Sequence, residues 1–264
     1  MTCKEVELAI ANDFLMFQDY GSDVDNVIGQ NFAVMNLVGA NYDDEFDDEL
    51  VFLITENFVS SCSTCDPAIW TNTTNACQLL DNFRSWGNGG GFNMGYDLAQ
   101  LWTDRDFNGG VVGVAYLGVV CTGSRYQTNQ DFTNNANTIR QLTAHETGHN
   151  FDAGHVDPSN CIMEPFINGS SCWDNVSVNQ VNNHVASRTC LSTCTSSQAP
   201  TAAFSSDQIE GCVPLTVNFT DNSTGDPNSW TWTFEGGTPE TSFDQNPTIT
   251  YLTDGVYDLS LIHI

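Results

Sequence analysis

Positive charge is what this chain most lacks. Its 264 residues hold six Lys and Arg against 33 Asp and Glu, a net charge of −27, and Lys4 is the single lysine. A surface of that sign repels phosphate backbones and argues against nucleic acid as a partner. Long apolar runs are missing too. Hydrophobic residues make up 40% of the chain, enough for a core, but no stretch of about 18 apolar residues offers a membrane span. No signal peptide opens the sequence; Met1-Thr2-Cys3 runs almost at once into strand-like residues. The chain therefore reads as a mature region or fragment with its export information upstream. Cysteine, by contrast, is plentiful: ten residues point to an oxidising compartment and a secreted, extracellular protein. They form no zinc ribbon, because Cys62-x-x-Cys65 has no second CxxC pair, and that pair reads as part of a disulfide region.

Histidine is scarce, and three of the five lie in His145-Glu146-Thr147-Gly148-His149-Asn150-Phe151-Asp152-Ala153-Gly154-His155. If residues 138–151 are helical, His145 and His149 project from one face and can share a Zn2+, with Glu146 beside them to act on water. A third ligand must come from outside that row, and His155 can supply it if the chain turns near Gly154. Thr138-Ile139-Arg140-Gln141 has the form of a capping box. Ile139 and Leu142 give the helix an apolar side opposite the histidines and Glu146.

The flanking sequence alternates strand and helix. Residues 4–12 read as a buried first strand. Ser22-Asp23 caps a helix with Val24, Val27, Ile28, Met35 and Val38 at helical spacing. The acidic turn 43–49 precedes a strand at 50–54. Residues 60–76 are loop-like, 75–86 a helix, 87–91 a flexible connection and 96–102 a brief helix or turn. Val111–Val120 is the strongest strand pattern, and 176–185 a final helix. This order predicts a domain over 1–195 of the α/β class. Residues 196–200 form a Ser/Thr/Pro linker. From 201 to 264, short alternating strands at 202–204, 215–219, 229–234 and 248–251 predict a small β-sandwich, incomplete at its C-terminal end.

The extended histidine motif resembles that of the metzincin zinc endopeptidases. Four flanking matches narrow the resemblance to the reprolysin-like branch (adamalysin, snake-venom and ADAM-type): Val6-Glu7-Leu8; Tyr96-Asp97-Leu98-Ala99-Gln100-Leu101; Val112-Gly113-Val114-Ala115-Tyr116 leading to Cys121; and Cys161-Ile162-Met163. The resemblance implies a mixed, twisted sheet with an active-site helix. It implies zinc on His145, His149 and His155, Glu146 as general base, and Met163 in a turn beneath the metal. A structural Ca2+ on Glu7, Asp97 and the chain at Cys190 is implied as well, as are disulfides Cys121–Cys190 and Cys161–Cys172; Cys62, Cys65 and Cys77 stay open. Two positions depart from the family pattern. Asp152 stands where Gly is usual, and Val156 stands where Asp usually follows the third histidine. Asp152 accepts a left-handed conformation at a cost of about 1 kcal/mol. Cys212–Phe219 and Trp230–Gly237 resemble a PKD (polycystic kidney disease-like) domain, an accessory module of secreted bacterial hydrolases.

The expected activity is zinc-dependent endoproteolysis of protein or peptide substrates by a monomer. Gly113, Val114 and Ala115 pair with the substrate backbone, while Pro165 and Phe166 shape a specificity pocket. The alternative is an inactive metal-binding or adhesion protein that works through its PKD-like module.

Overall fold

The computed structural model describes residues 3–46, 50–70, 72–194, 201–225, 227 and 229–263. The chain divides into two compact units, Met1–Cys194 and Thr195–Ile264. The expected linker at 196–200 and the last part of the acidic turn, 47–49, lie outside the described residues.

In the first unit the elements run β1 (Lys4–Asn12), α1 (Phe14–Asp19), α2 (Val24–Phe46), β2 (Leu50–Val59), α3 (Ala76–Trp86), β3 (Leu98–Thr103), β4 (Gly113–Ala115), β5 (Tyr126–Gln130), α4 (Ala136–Asn150), α5 (Asn175–Ser187) and β6 (Ser192–Thr193). The sheet order is β2-β1-β3-β5-β4, with β6 added to the start of β1. β1, β2, β3 and β5 pair in parallel, and β4 joins antiparallel as an edge strand. This is the α/β class that the strand–helix alternation predicts, with the mixed sheet that the resemblance implies.

Several local expectations give way. Residues 96–102 hold a strand rather than a helix, because β3 sits between β1 and β5 with every residue buried. The apolar run 111–120 yields only three strand residues. Beyond Ala115 the chain leaves the sheet, and the N–H groups of Gly118 and Val119 bond the carbonyls of His149 and Asn150 at the end of α4. The inner strand β5, Tyr-Gln-Thr-Asn-Gln, has no apolar signature and was not expected. The glycine run 87–91 continues α3 as a π-type turn instead of a free connection.

The core has two faces. On one, Val6, Leu8 and Ile10 meet Val27, Val34, Met35 and Val38 of α2, together with Ile139 and Phe151. Asp23 begins α2 as expected, its Oδ1 accepting from Asp25 N at 2.9 Å. On the other face Ala9 and Ala11 pack with Leu79, Leu80 and Phe83 of α3 and with Tyr126. Four disulfides are formed: Cys3–Cys194, Cys62–Cys65, Cys121–Cys190 and Cys161–Cys172. Cys77 and Cys212 are free thiols.

The second unit carries β7 (Phe204–Ser206), β8 (Leu215–Asp221), β9 (Trp230–Phe234), β10 (Gly237–Thr238), β11 (Thr241–Ser242), β12 (Thr248–Tyr251) and β13 (Leu259–His263). They form two antiparallel sheets, β10-β12-β8-β7 and β11-β9-β13. Val217, Phe219, Trp232, Phe234, Ile249 and Tyr251 fill the space between.

Candidate active site

The site is built on α4. The helix starts three residues earlier than its capping signal predicts. Asn135 is the N-cap, its side chain accepting from Thr138 N, so Thr138 lies inside the helix and caps nothing. At its other end the N–H of Ala153 bonds Gly148 O and that of Asp152 bonds His149 O, both at 2.9 Å. Together these close the helix in a Schellman arrangement, which calls for a left-handed residue just past the cap. Asp152 occupies that place with φ 74°, and its carboxylate fills the space a side chain on Gly118 would take. The turn sends the chain back so that Val156 N bonds Met163 O at 3.0 Å, which brings His155 over the helix.

His155 Nε2 lies 3.2 Å from His145 Nε2 and 3.1 Å from His149 Nε2. Nδ1 of His145 is 2.7 Å from Ile162 O, and Nδ1 of His149 is 2.7 Å from Ala153 O. Carbonyl oxygens only accept, so both Nδ1 atoms carry protons and both Nε2 atoms present lone pairs. Three nitrogens about 2.0–2.1 Å from a tetrahedral Zn2+ stand about 3.3 Å apart, close to the spacing seen. Burial, with the neighbouring His149, holds His145 well below the usual imidazole range, at about 4, and burial also lowers His149. Neutral imidazoles with converging lone pairs repel one another and fit a cation. The donor set suits zinc.

Glu146 lies beside them, 4% exposed. Its Oε2 has no hydrogen-bond partner among the described residues, and burial raises the carboxyl to about 8. It fits there because residue 113 is glycine: a Cβ at 113 would lie 2.5 Å from Glu146 Oε1. Met163 is fully buried under the helix. A Cβ at Gly148 would come within 2.6 Å of its sulfur, so helix and Met163 meet only because 148 has no side chain.

These groups open onto a cleft of about 600 Å³ whose walls include Val111–Ala115, Phe132, Leu142 and Pro165–Ile167. Gly113, Val114, Ala115, Pro165 and Phe166 are thus gathered around the histidines. Leu142 lines the cleft instead of facing away from it, which corrects the expected apolar side of α4. Phe132, Leu142 and Ile167 were missed, since nothing in their local pattern marks them. Gly148 did carry a signal, because glycine inside a helix costs about 1 kcal/mol and is kept where packing demands it.

Glu7 and Asp97, expected at a Ca2+ site with the chain at Cys190, are neighbours: Asp97 N donates to Glu7 O at 2.7 Å and Glu7 N to Asp97 Oδ2 at 3.0 Å. The Cys121–Cys190 disulfide lies against the Asp97 carboxylate. No Lys or Arg is among the described residues that line the cleft. Arg105 pairs with Asp13 and Asp66, and Arg84 with Asp81. Arg125 stacks on Tyr96, Arg188 bonds His184, and Lys4 bonds Leu191 O.

A mixed sheet carrying a helix with two histidines, a buried glutamate and a returning third histidine defines a zinc metallopeptidase. The chain belongs to metallo-peptidase family M12, of the reprolysin type, whose profile matches residues 2–205, and a PKD domain matches residues 197–263. It is 28% identical over 188 residues to snake venom metalloproteinase atroxlysin-1 of Bothrops atrox, an alignment covering 64% of this chain and 90% of that protein. It is 30% identical over 167 residues to a zinc metalloproteinase-disintegrin-like protein of Cerberus rynchops, covering 62% of this chain and 26% of that one. Against disintegrin and metalloproteinase domain-containing protein 19 of Homo sapiens the identity is 32% over 176 residues, with 63% and 17% covered. The chain thus spans nearly all of the first relative and about a quarter or less of the other two.

Proposed function

We propose that this chain is a secreted zinc endopeptidase that works as a single chain, with Glu146 as general base. The observation that carries the reading is the convergence of three Nε2 atoms beside a buried carboxyl at the floor of an open cleft. His145, His149 and His155 hold the metal. Zinc so held supplies a Lewis acid that polarises a carbonyl and lowers the pKa of water towards about 7. Glu146 accepts the proton of the water that attacks the peptide carbonyl carbon. It delivers that proton to the amine as the C–N bond breaks. The edge strand β4 is hydrogen-bonded on one side only, and its free side offers backbone donors and acceptors to an extended substrate whatever its sequence. Pro165, Phe166 and Leu142 make an apolar wall for a substrate side chain.

Four disulfides, the acidic surface and the resemblance to a venom metalloproteinase support secretion. No helix among the described residues is long and apolar enough to cross a membrane. The mechanism needs one metal and no calcium. A purely adhesive protein leaves the placement of Glu146 without a purpose. Glu146→Ala is expected to bind zinc in the wild-type ratio while hydrolysis of casein falls below detection; turnover kept by this variant refutes the assignment.

A further inference from the structure

Gln141 precedes His145 by one helical turn on the same stripe of α4. It does not cap the helix, although its spacing from Thr138 predicts that role. It is fully buried, and its Oε1 accepts the backbone N–H of Asn168 at 2.8 Å, of Ser170 at 3.1 Å, and of Gly169 between them. Arg140 reinforces the same loop. Its Nη2 donates to Gly169 O at 3.2 Å and Ser170 O at 2.9 Å. Its Nη1 donates to Asn41 Oδ1, and Asn41 in turn donates to Ser171 O at 2.7 Å.

The other end of this segment is tied to the same helix, where His145 Nδ1 holds Ile162 O. The chain from 162 to 170 is therefore strung between two side chains about 6 Å apart along one helix. What bows out between these ties is Pro165, Phe166 and Ile167, the three residues that form one wall of the cleft. Phe166 is 72% exposed and has little packing of its own to fix it, so the ties decide where it stands.

We propose that Gln141 is a positioning residue that sets this wall and so determines which apolar side chain the cleft accepts. The proposal rests on the peptidase reading above. The working atom is Oε1: a single amide oxygen meets three N–H groups, more than its two lone pairs, while Nε2 has no partner among the described residues. A carboxylate in its place keeps the acceptor and discards the idle donor. An apolar side chain leaves three buried N–H groups unmatched and frees the wall.

Two readouts on the zinc-loaded chain test this. Hydrogen exchange reports the amides of 168–170 without any need for turnover. The ratio of kcat/KM for two peptides, differing only in a large or small apolar residue next to the cleaved bond, reports selectivity. Gln141→Leu is expected to speed exchange at 168–170 by about tenfold or more and to bring the peptide ratio at least about threefold closer to one, with zinc content kept. Gln141→Glu is expected to leave both within about twofold of wild type. Unchanged protection in folded Gln141→Leu overturns the anchor, and so does lost protection in folded Gln141→Glu, which decides the matter should the leucine variant fail to fold. A wild type that cleaves neither peptide overturns the peptidase reading, and the exchange result still judges the anchor separately.

Discussion

Glu146 makes the metal-free protein sensitive to alkali, and the size of the effect follows from its burial. Its carboxyl rises from 4.5 to about 8 in the folded chain. Between those values the folded state holds a proton that the unfolded state has lost. The contribution to stability is therefore full below pH 4.5 and disappears as pH rises through 8. From pH 6.5 to 8.0 the loss integrates to about 1–2 kcal/mol. His145 works in the opposite sense. Its folded value is depressed to about 4, so its contribution is nearly complete above about 6.5 and returns well under about 1 kcal/mol over the same window. The test is urea unfolding of chelator-treated protein at pH 6.5 and 8.0, wild type against Glu146→Gln. The glutamine variant carries its own fixed cost for a buried amide, but that cost does not titrate. Wild type is expected to lose about 1–2 kcal/mol more than the variant between the two pH values. Equal losses in both proteins refute the claim that Glu146 sits dry and protonated without its metal.

Gly148→Ala drives a methyl against the Met163 sulfur and the Trp173 ring (2.6 and 3.3 Å); a loss of about 1–3 kcal/mol in denaturant unfolding is expected, and an unchanged midpoint counts against close packing there. Replacing Cys121 and Cys190 together with Ser opens a link spanning 69 residues and is expected to cost about 4 kcal/mol by the same assay. Peptides with one cleavable apolar core but Lys-rich or Glu-rich flanks should differ in kcat/KM in favour of Lys, given a net charge of −27 and no Lys or Arg among the described residues that line the cleft. That preference is expected to shrink as salt is raised, and a salt-independent ratio removes the electrostatic cause.

The spacing of His145, Glu146, His149 and His155 was legible because metal ligation imposes a pattern on neighbours in sequence, and a helical turn converts that pattern directly into geometry. The outer helices were legible because their burial has a period, and the strands at 4–12 and 50–54 because their apolar residues run together. β5 was not, because Gln127, Thr128 and Asn129 are fully buried yet polar; Gln127 bonds Asn129 and Thr147, and no hydrophobicity marks the strand. The run 111–120 misled in the opposite direction. Val111, Val112 and Val114 border a cleft, and Val120 fills the core from a loop beyond the sheet. The role of Gln141 was hidden most completely. A capping box is a local inference, and the groups that claim this side chain lie 27 to 29 residues downstream.

A peptidase shares its surroundings with others of its kind, and the whereabouts of its cations govern how it fares there. Enzymes that cut after Lys or Arg have six points of attack in 264 residues. Arg105 and Arg140 are buried, and the rest are engaged by the fold. Residues 189–264 contain no Lys or Arg, so the PKD unit offers such enzymes no bond to cut, folded or not. The charge imbalance therefore gives the second unit a chemical immunity to one whole specificity class of protease, independent of its own stability.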